Sequence, residues 1–360
     1  MIAPATARDL DTFRAHGPLY EGEDSKDYPR GQPCVRLSFV TDGNLTERDA
    51  RLDEWLARAA ELARPEVKLY GGGGESFPSS QRRRPKASDW ALFDGLSDRL
   101  AEELRMGLLE EPQSIPQEAG SCFFGDSLGE GESATRFFMI GSHPWRVSLA
   151  LSLDLWAQNA AEMDTLVEDL AVLGDVYDSG GYGFAMNFWT NSHGFDQYRL
   201  LHPVSQRFAL IDMINPQRWP RHRLESLGAG GKQIAPFDPP LLYPIMPWNL
   251  FSTAALRSWG IAPQTIRALS AEVHEVQEHE HGFLVKLWPG PILGMPDTDL
   301  APARALARAL APALVGAQER IDWSFPALLG WSDVASAWYR RFVPGHEQEW
   351  AATVGLGNRD

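Results

Sequence analysis

Six consecutive residues, Phe124-Gly125-Asp126-Ser127-Leu128-Gly129, satisfy G-x-S-x-G, the pattern of a sharp turn that exposes a nucleophilic serine. Acyl transfer at Ser127 needs a histidine to take its proton and a carboxylate to orient that histidine. The residues after Ser127 are Leu128-Gly129-Glu130-Gly131-Glu132, which read as a loop and not as the helix start such a turn feeds. A second cluster, Glu272, His274, Glu275, Glu278, His279, Glu280 and His281, holds the side-chain types that ligate zinc. It lacks H-E-x-x-H on one helical turn, and Val273, Val276 and Gly282 place it on a hairpin and its tip. It reads as a solvated acidic turn, and no metal is expected. Gly71–Gly74 and Gly228-Ala229-Gly230-Gly231-Lys232 lack the Gly-Lys-Ser/Thr ending of a phosphate loop and the helix that follows one. No nucleotide or other cofactor is expected. Arg82–Arg84 with Lys86 is the one basic run and reads as a solvated loop face.

The serine block also resembles the Gly-Asp-Ser-Leu signature of a family of lipases and esterases. That family carries the block after its first strand and takes its base from a late Asp-x-x-His. Here the block lies well along the chain, and none of the 9 histidines has Asp three positions before it. No catalytic residue is assigned and no enzyme is expected; a serine esterase using Ser127 stands as the alternative.

The elements that would position these residues follow from periodicity. Val35, Leu37 and Phe39 alternate and predict a strand over Cys34–Val40. Leu52, Trp55, Leu56, Ala59 and Leu62 predict an amphipathic helix from Asn44 to Ala63, closed by Pro65. Val67–Tyr70 reads as a short strand, and a helix is expected near Ser88. Residues 110–133 read as a Gly- and Glu-rich connection. Thr135–Ile140 and Arg146–Leu153 predict an antiparallel pair, Ala160–Leu173 a helix, and Gly183–Trp189 a strand. Arg207–Ile211 reads as another strand. Ser252–Trp259 and Leu300–Leu314 read as helices, Val273–Gln277 with Phe283–Trp288 as a hairpin, and Ser332–Phe342 as a closing helix.

Hairpins interleaved with helices predict an α+β fold with a mixed, largely antiparallel sheet flanked by helices. The β-α-β-β-α-β order over 34–190 is that of a ferredoxin-like N-terminal half. The chain divides into an acidic N-terminal arm (1–32), an N-terminal α+β half (33–212), a Pro-rich crossing (213–247), a C-terminal α+β half packed on the first (248–345) and a tail (346–360).

The chain has 360 residues with 44% hydrophobic and 22% charged residues, which is globular composition and excludes disorder. Its net charge of −15 argues against broad contact with nucleic acid or an anionic membrane and favours a cationic partner, or nothing more than solubility. No secretory signal is visible, and no window approaches the roughly 20 apolar residues of a membrane span. Cys34 and Cys122 give neither a disulfide framework nor metal spacing, so a reducing, cytoplasmic setting is expected. The 13 tryptophans read mainly as core, with Trp189, Trp219 and Trp248 as candidate anchors for a partner.

The order of short segments carries a second resemblance. Val35-Arg-Leu-Ser-Phe-Val40, the helix through Trp55, the Val147–Leu155 strand running into Leu155-Trp156, and Gly180-Gly-Tyr-Gly-Phe184 come in turn. Met246-Pro-Trp-Asn-Leu-Phe251, Leu284-Val-Lys-Leu-Trp-Pro-Gly-Pro291 and Trp338-Tyr-Arg-Arg-Phe342 follow. From about 33 to 342 the chain resembles a TsiV-like family of type VI secretion immunity proteins, immunity for VRR-NUC and related nuclease effectors. The resemblance implies a non-catalytic inhibitor that binds and neutralises a cognate effector toxin, a nuclease of restriction-endonuclease-like type. It implies that Met246–Phe251 enters a helix. An acidic surface would compete with the nucleic acid that such a toxin binds, so the expected contact residues are the loop carboxylates. They are Asp126, Glu130 and Glu132; Asp175 and Asp178; and Glu275, Glu278 and Glu280. Oligomeric state is not legible. A scaffold module for another protein would share the absence of chemistry and differ only in partner.

Overall fold

The computed structural model describes residues 2–19, 31–41, 50–66, 69–72, 121–125, 136–140, 145–188, 194–212, 223–227, 231–235, 240, 242–316 and 336–353. In chain order the elements are α1 (Pro4–His16), β1 (Gly31–Thr41), α2 (Ala50–Ala63), β2 (Leu69–Gly72), β3 (Ser121–Gly125), β4 (Arg136–Ile140) and β5 (Trp145–Ser152). Next come α3 (Leu153–Gln158), α4 (Ala160–Val172), β6 (Ser179–Phe188), α5 (Gly194–Arg207), β7 (Arg223–Leu227), β8 (Gly231–Ala235) and β9 (Trp248–Ser252). The remainder are α6 (Thr253–Ser258), α7 (Pro263–Arg267) with a 3-10 turn at Ala268–Ala271, β10 (Glu275–Glu278), β11 (Gly282–Lys286), α8 (Ala301–Gly316) and α9 (Glu347–Ala351).

The fold is α+β. Nine strands form one sheet in the order β10-β11-β9-β6-β1-β5-β4-β3-β2, with antiparallel neighbours throughout, and β7-β8 is a separate hairpin. Within it, β6-β1-β5-β4 has the pairing of a split β-α-β unit, with α2 and α4 as its helices, as the segment order predicts. β6 also pairs with β9, so both halves of the chain share this sheet. Pro33 is tolerated in central β1 because it sits opposite Met186 alone, one residue before the β5 ladder begins at Cys34.

A single hydrophobic cluster runs from Leu10 to Val343, and α2, α3 and α4 cover one face of the sheet. Trp55 of α2 stacks edge-on against Phe39 at 5.6 Å, and its Nε1 donates to Leu166 O of α4 at 2.8 Å. The other face lies under residues 242–247. Gly181 and Gly183 make that approach possible: a Cβ at either would stand within 2.8 Å of Met246 side-chain atoms. Arg341 fastens the C-terminal segment there, donating to Ala209 O, Trp338 O and Ile245 O.

Four expectations change. Residues 4–16, expected within the acidic N-terminal arm, form α1, whose Leu10 and Phe13 are buried and whose Asp9 accepts from Leu293 N at 2.7 Å. Arg207–Ile211 is not a strand: Arg207 ends α5, and Ala209 and Leu210 bond to the 293–294 backbone as a loop. Trp248–Phe251, taken as a helix entry, lies in β9, and α6 starts after it with Ser252 Oγ as its cap. Ser121–Gly125, placed in a connection, is β3. The helix expected near Ser88 lies outside the described residues.

Candidate functional site

Two of the three acidic loops meet at one end of the sheet. α4 ends at Val172, and the chain turns through Gly174 into the Asp175–Asp178 loop. A Cβ on Gly174 would lie 2.6 Å from His281 C and O, so only glycine lets this turn press against the β10–β11 tip. Thr253 N donates to His281 O at 2.8 Å, Ser252 N to Asp178 O at 2.9 Å, and Asp178 N to Val40 O at 2.8 Å. These bonds bring the Asp175–Asp178 loop and the Glu280-bearing tip to the same end of the sheet, beyond the ends of β1, β6, β9 and β11. Asp175 pairs with Arg51 of α2 at 2.8 Å, whereas Glu280 is 86% exposed with His281 at 3.8 Å.

Glu275 and Glu278 lie along β10 and are engaged within the molecule. Glu278 accepts two bonds from Arg267, at 2.6 and 2.5 Å, which hold its carboxyl below the usual range. Burial pushes Glu275 up, but bonds from Lys286 and Gln277 outweigh it and leave the carboxyl lowered. Asp126, Glu130, Glu132 and Ser127 lie outside the described residues. Gly125, which precedes them, is at the opposite end of the sheet, opposite Leu69 and beyond the Phe124–Phe137 pair. Trp189 and Trp219 are also outside the described residues. Trp248 is no surface anchor: it is 2% exposed, with Nε1 donating to Trp288 O at 2.9 Å.

A second polar group escapes sequence reasoning. Leu149, Leu37, Tyr182, Trp248, Lys286 and Glu275 are successive cross-strand partners over β5, β1, β6, β9, β11 and β10, and therefore share one face. The row turns from apolar to charged along its length, and α3 and α4 cap its polar end. Trp156 Nε1 donates to the Tyr182 hydroxyl at 2.8 Å, and that hydroxyl donates to Asp164 Oδ1 at 3.0 Å. Lys286 Nζ lies 2.6 Å from Glu168, 3.0 Å from Glu275 and 4.5 Å from the Trp248 ring centre. Burial raises the Asp164 carboxyl to about 6, against the pull of the Tyr182 bond and the Lys286 charge. Burial lowers Lys286, but its bonds to Glu168 and Glu275 prevail and leave it raised. The sequence signals were Lys286, the lone charge in Gly282–Trp288, and the i, i+4 carboxylates Asp164 and Glu168.

On the other face, Tyr243 donates to Asp212 Oδ2 at 2.7 Å, and Arg36 Nη1 stands 3.3 Å from the same oxygen. This buried group ties β1 to the 212 and 243 segments. Among the described residues no three His, Cys, Asp or Glu side chains lie close enough to hold a metal ion. No helix among them is long and apolar enough to cross a membrane.

No family model matches the chain. No curated protein matches it in sequence. Among solved structures, the fold is similar to that of a Pseudomonas aeruginosa T6SS protein, PA0821, with a TM-score of 0.56 and 14% identity. The likeness covers 97% of this chain and 94% of that one, so it spans both halves of the shared sheet. At that identity it is a likeness of fold.

Proposed function

We propose that this protein belongs to type VI secretion as an immunity protein, which binds a cognate effector toxin and neutralises it without chemistry of its own. The observation that carries the reading is the fold likeness to a T6SS protein over 97% of the chain. The ordered segments from Val35 to Phe342 point to the same system through the immunity family they resemble. That family makes the toxin a nuclease of restriction-endonuclease-like type. Its cationic, DNA-seeking face would be matched by a chain of net charge −15. Charge complementarity of this kind speeds association and sets orientation, while buried contacts supply most of the affinity. A nuclease poisons the cell where its chromosome lies, so the protein acts in the cytoplasm. Asp175, Asp178 and Glu280 form the candidate contact face.

The test is co-expression with the toxin encoded beside its gene. Growth rescue and a one-to-one complex on gel filtration are expected; continued toxicity at equal expression overturns the proposal.

A further inference from the structure

Among the described residues the sheet has an open edge at β10. His279 N donates to Gly282 O at 2.8 Å, so the alternation of the ladder makes Gln277/Leu284 and Glu275/Lys286 the hydrogen-bonded pairs. The N–H and C=O of Val276 and Glu278 therefore point away from β11, and no described residue bonds to them. An unpaired edge of this kind is a template for another strand. We propose that β10 accepts an extended, lysine- or arginine-bearing strand of the toxin, lengthening the sheet by one strand; this rests on the immunity reading above.

Charge selects that occupant. Glu275 and Glu278 are each 42% exposed despite their internal partners, and Glu280 at the tip is 86% exposed. A second copy of the chain would bring the same carboxylates against one another, in two molecules each carrying −15. Like charges facing across a strand pair are destabilising, whereas a cationic strand sets opposite charges side by side. The edge is four residues long and acidic, which discourages pairing with itself or with a neutral strand. The backbone supplies the bonds, and the carboxylates choose the strand.

Val276→Pro tests this in the full chain, because it deletes an outward N–H and leaves the β10–β11 bonds in place. Affinity for a catalytically inactive form of the toxin encoded beside the gene is expected to fall at least about tenfold. Unchanged affinity in a folded V276P variant overturns the edge proposal and leaves the immunity reading standing. Failure of the wild-type protein to bind that toxin overturns both. Amide hydrogen exchange on the wild-type protein gives a check independent of the variant. Val276 and Glu278 should exchange freely in the free protein and slow by about tenfold or more in the complex. Protection in the free protein, or none in the complex, overturns the proposal. A concentration-dependent dimer that V276P abolishes assigns the edge to a second copy and overturns it as well.

Discussion

Tyr182 is the middle member of a relay, accepting from Trp156 and donating to Asp164, and one proton at its end couples the fold to pH. Burial raises the Asp164 carboxyl from 3.8 to about 6, so the folded chain holds that proton more tightly than the unfolded one. The contribution is full below the unfolded value and is lost as pH rises through about 6. Asp164→Asn should therefore flatten the stability profile across that window by on the order of 1–2 kcal/mol, measured by urea unfolding at several pH values. An identical slope in variant and wild type would count against the assignment. His202 works in the opposite sense. Burial lowers its imidazole, so its contribution is present above the unfolded value and lost as pH falls through the folded one. The comparison must therefore be made against wild type at each pH. Arg341 is a costly side chain to remove. Burial lowers its guanidinium to about 9, which keeps it charged at neutral pH, and it donates to three backbone carbonyls. Arg341→Met should cost about 3–5 kcal/mol in denaturant unfolding, because Ala209 O and Ile245 O lose the bonds that it donates, while Trp338 O keeps the Arg341 backbone N–H.

At the level of elements, α1 is the least expected and among the most firmly docked. Phe13 is fully buried and meets Phe184 and Phe208 edge-on at 5.6 and 5.8 Å. Phe13→Ala should lower stability by about 3–5 kcal/mol, read as a fall in the urea midpoint with an unchanged slope. The α1 sequence hides this, because its inward face is Thr6, Asp9, Leu10 and Phe13, too polar to register as an apolar stripe. α2, α4 and α8 were legible because their apolar residues recur at helical spacing over three or more turns. β9 was not: Trp248–Ser252 is buried on both faces, so it shows no alternation. The hairpin carrying Glu275, Glu278 and Glu280 could be read from its turn residues. Its meeting with the Asp175–Asp178 loop could not, since contact across Gly174 and His281 is a matter of tertiary register. The Asp164–Tyr182–Lys286 row is hidden for the same reason.

For the whole molecule, the net charge of −15 would make association with the proposed cationic toxin sensitive to salt. Glu280→Lys, at a tip 86% exposed, should slow association several-fold at low salt and leave stability unchanged. Stopped-flow rates at two ionic strengths would show it, and equal rates would remove the tip from the contact face. The sheet order has a further consequence, in time and not in space. β1 is made early, yet Val35 lies opposite Leu151 on one side and Phe184 on the other. At about 5–20 residues per second of synthesis, β1 waits on the order of ten seconds for either neighbour. Such distant pairings also fold slowly once complete. A shorter nascent chain has no central ladder, and on the immunity reading it would not inhibit. If the chain is the immunity protein proposed above, protection then depends on which of the two messages the ribosome finishes first.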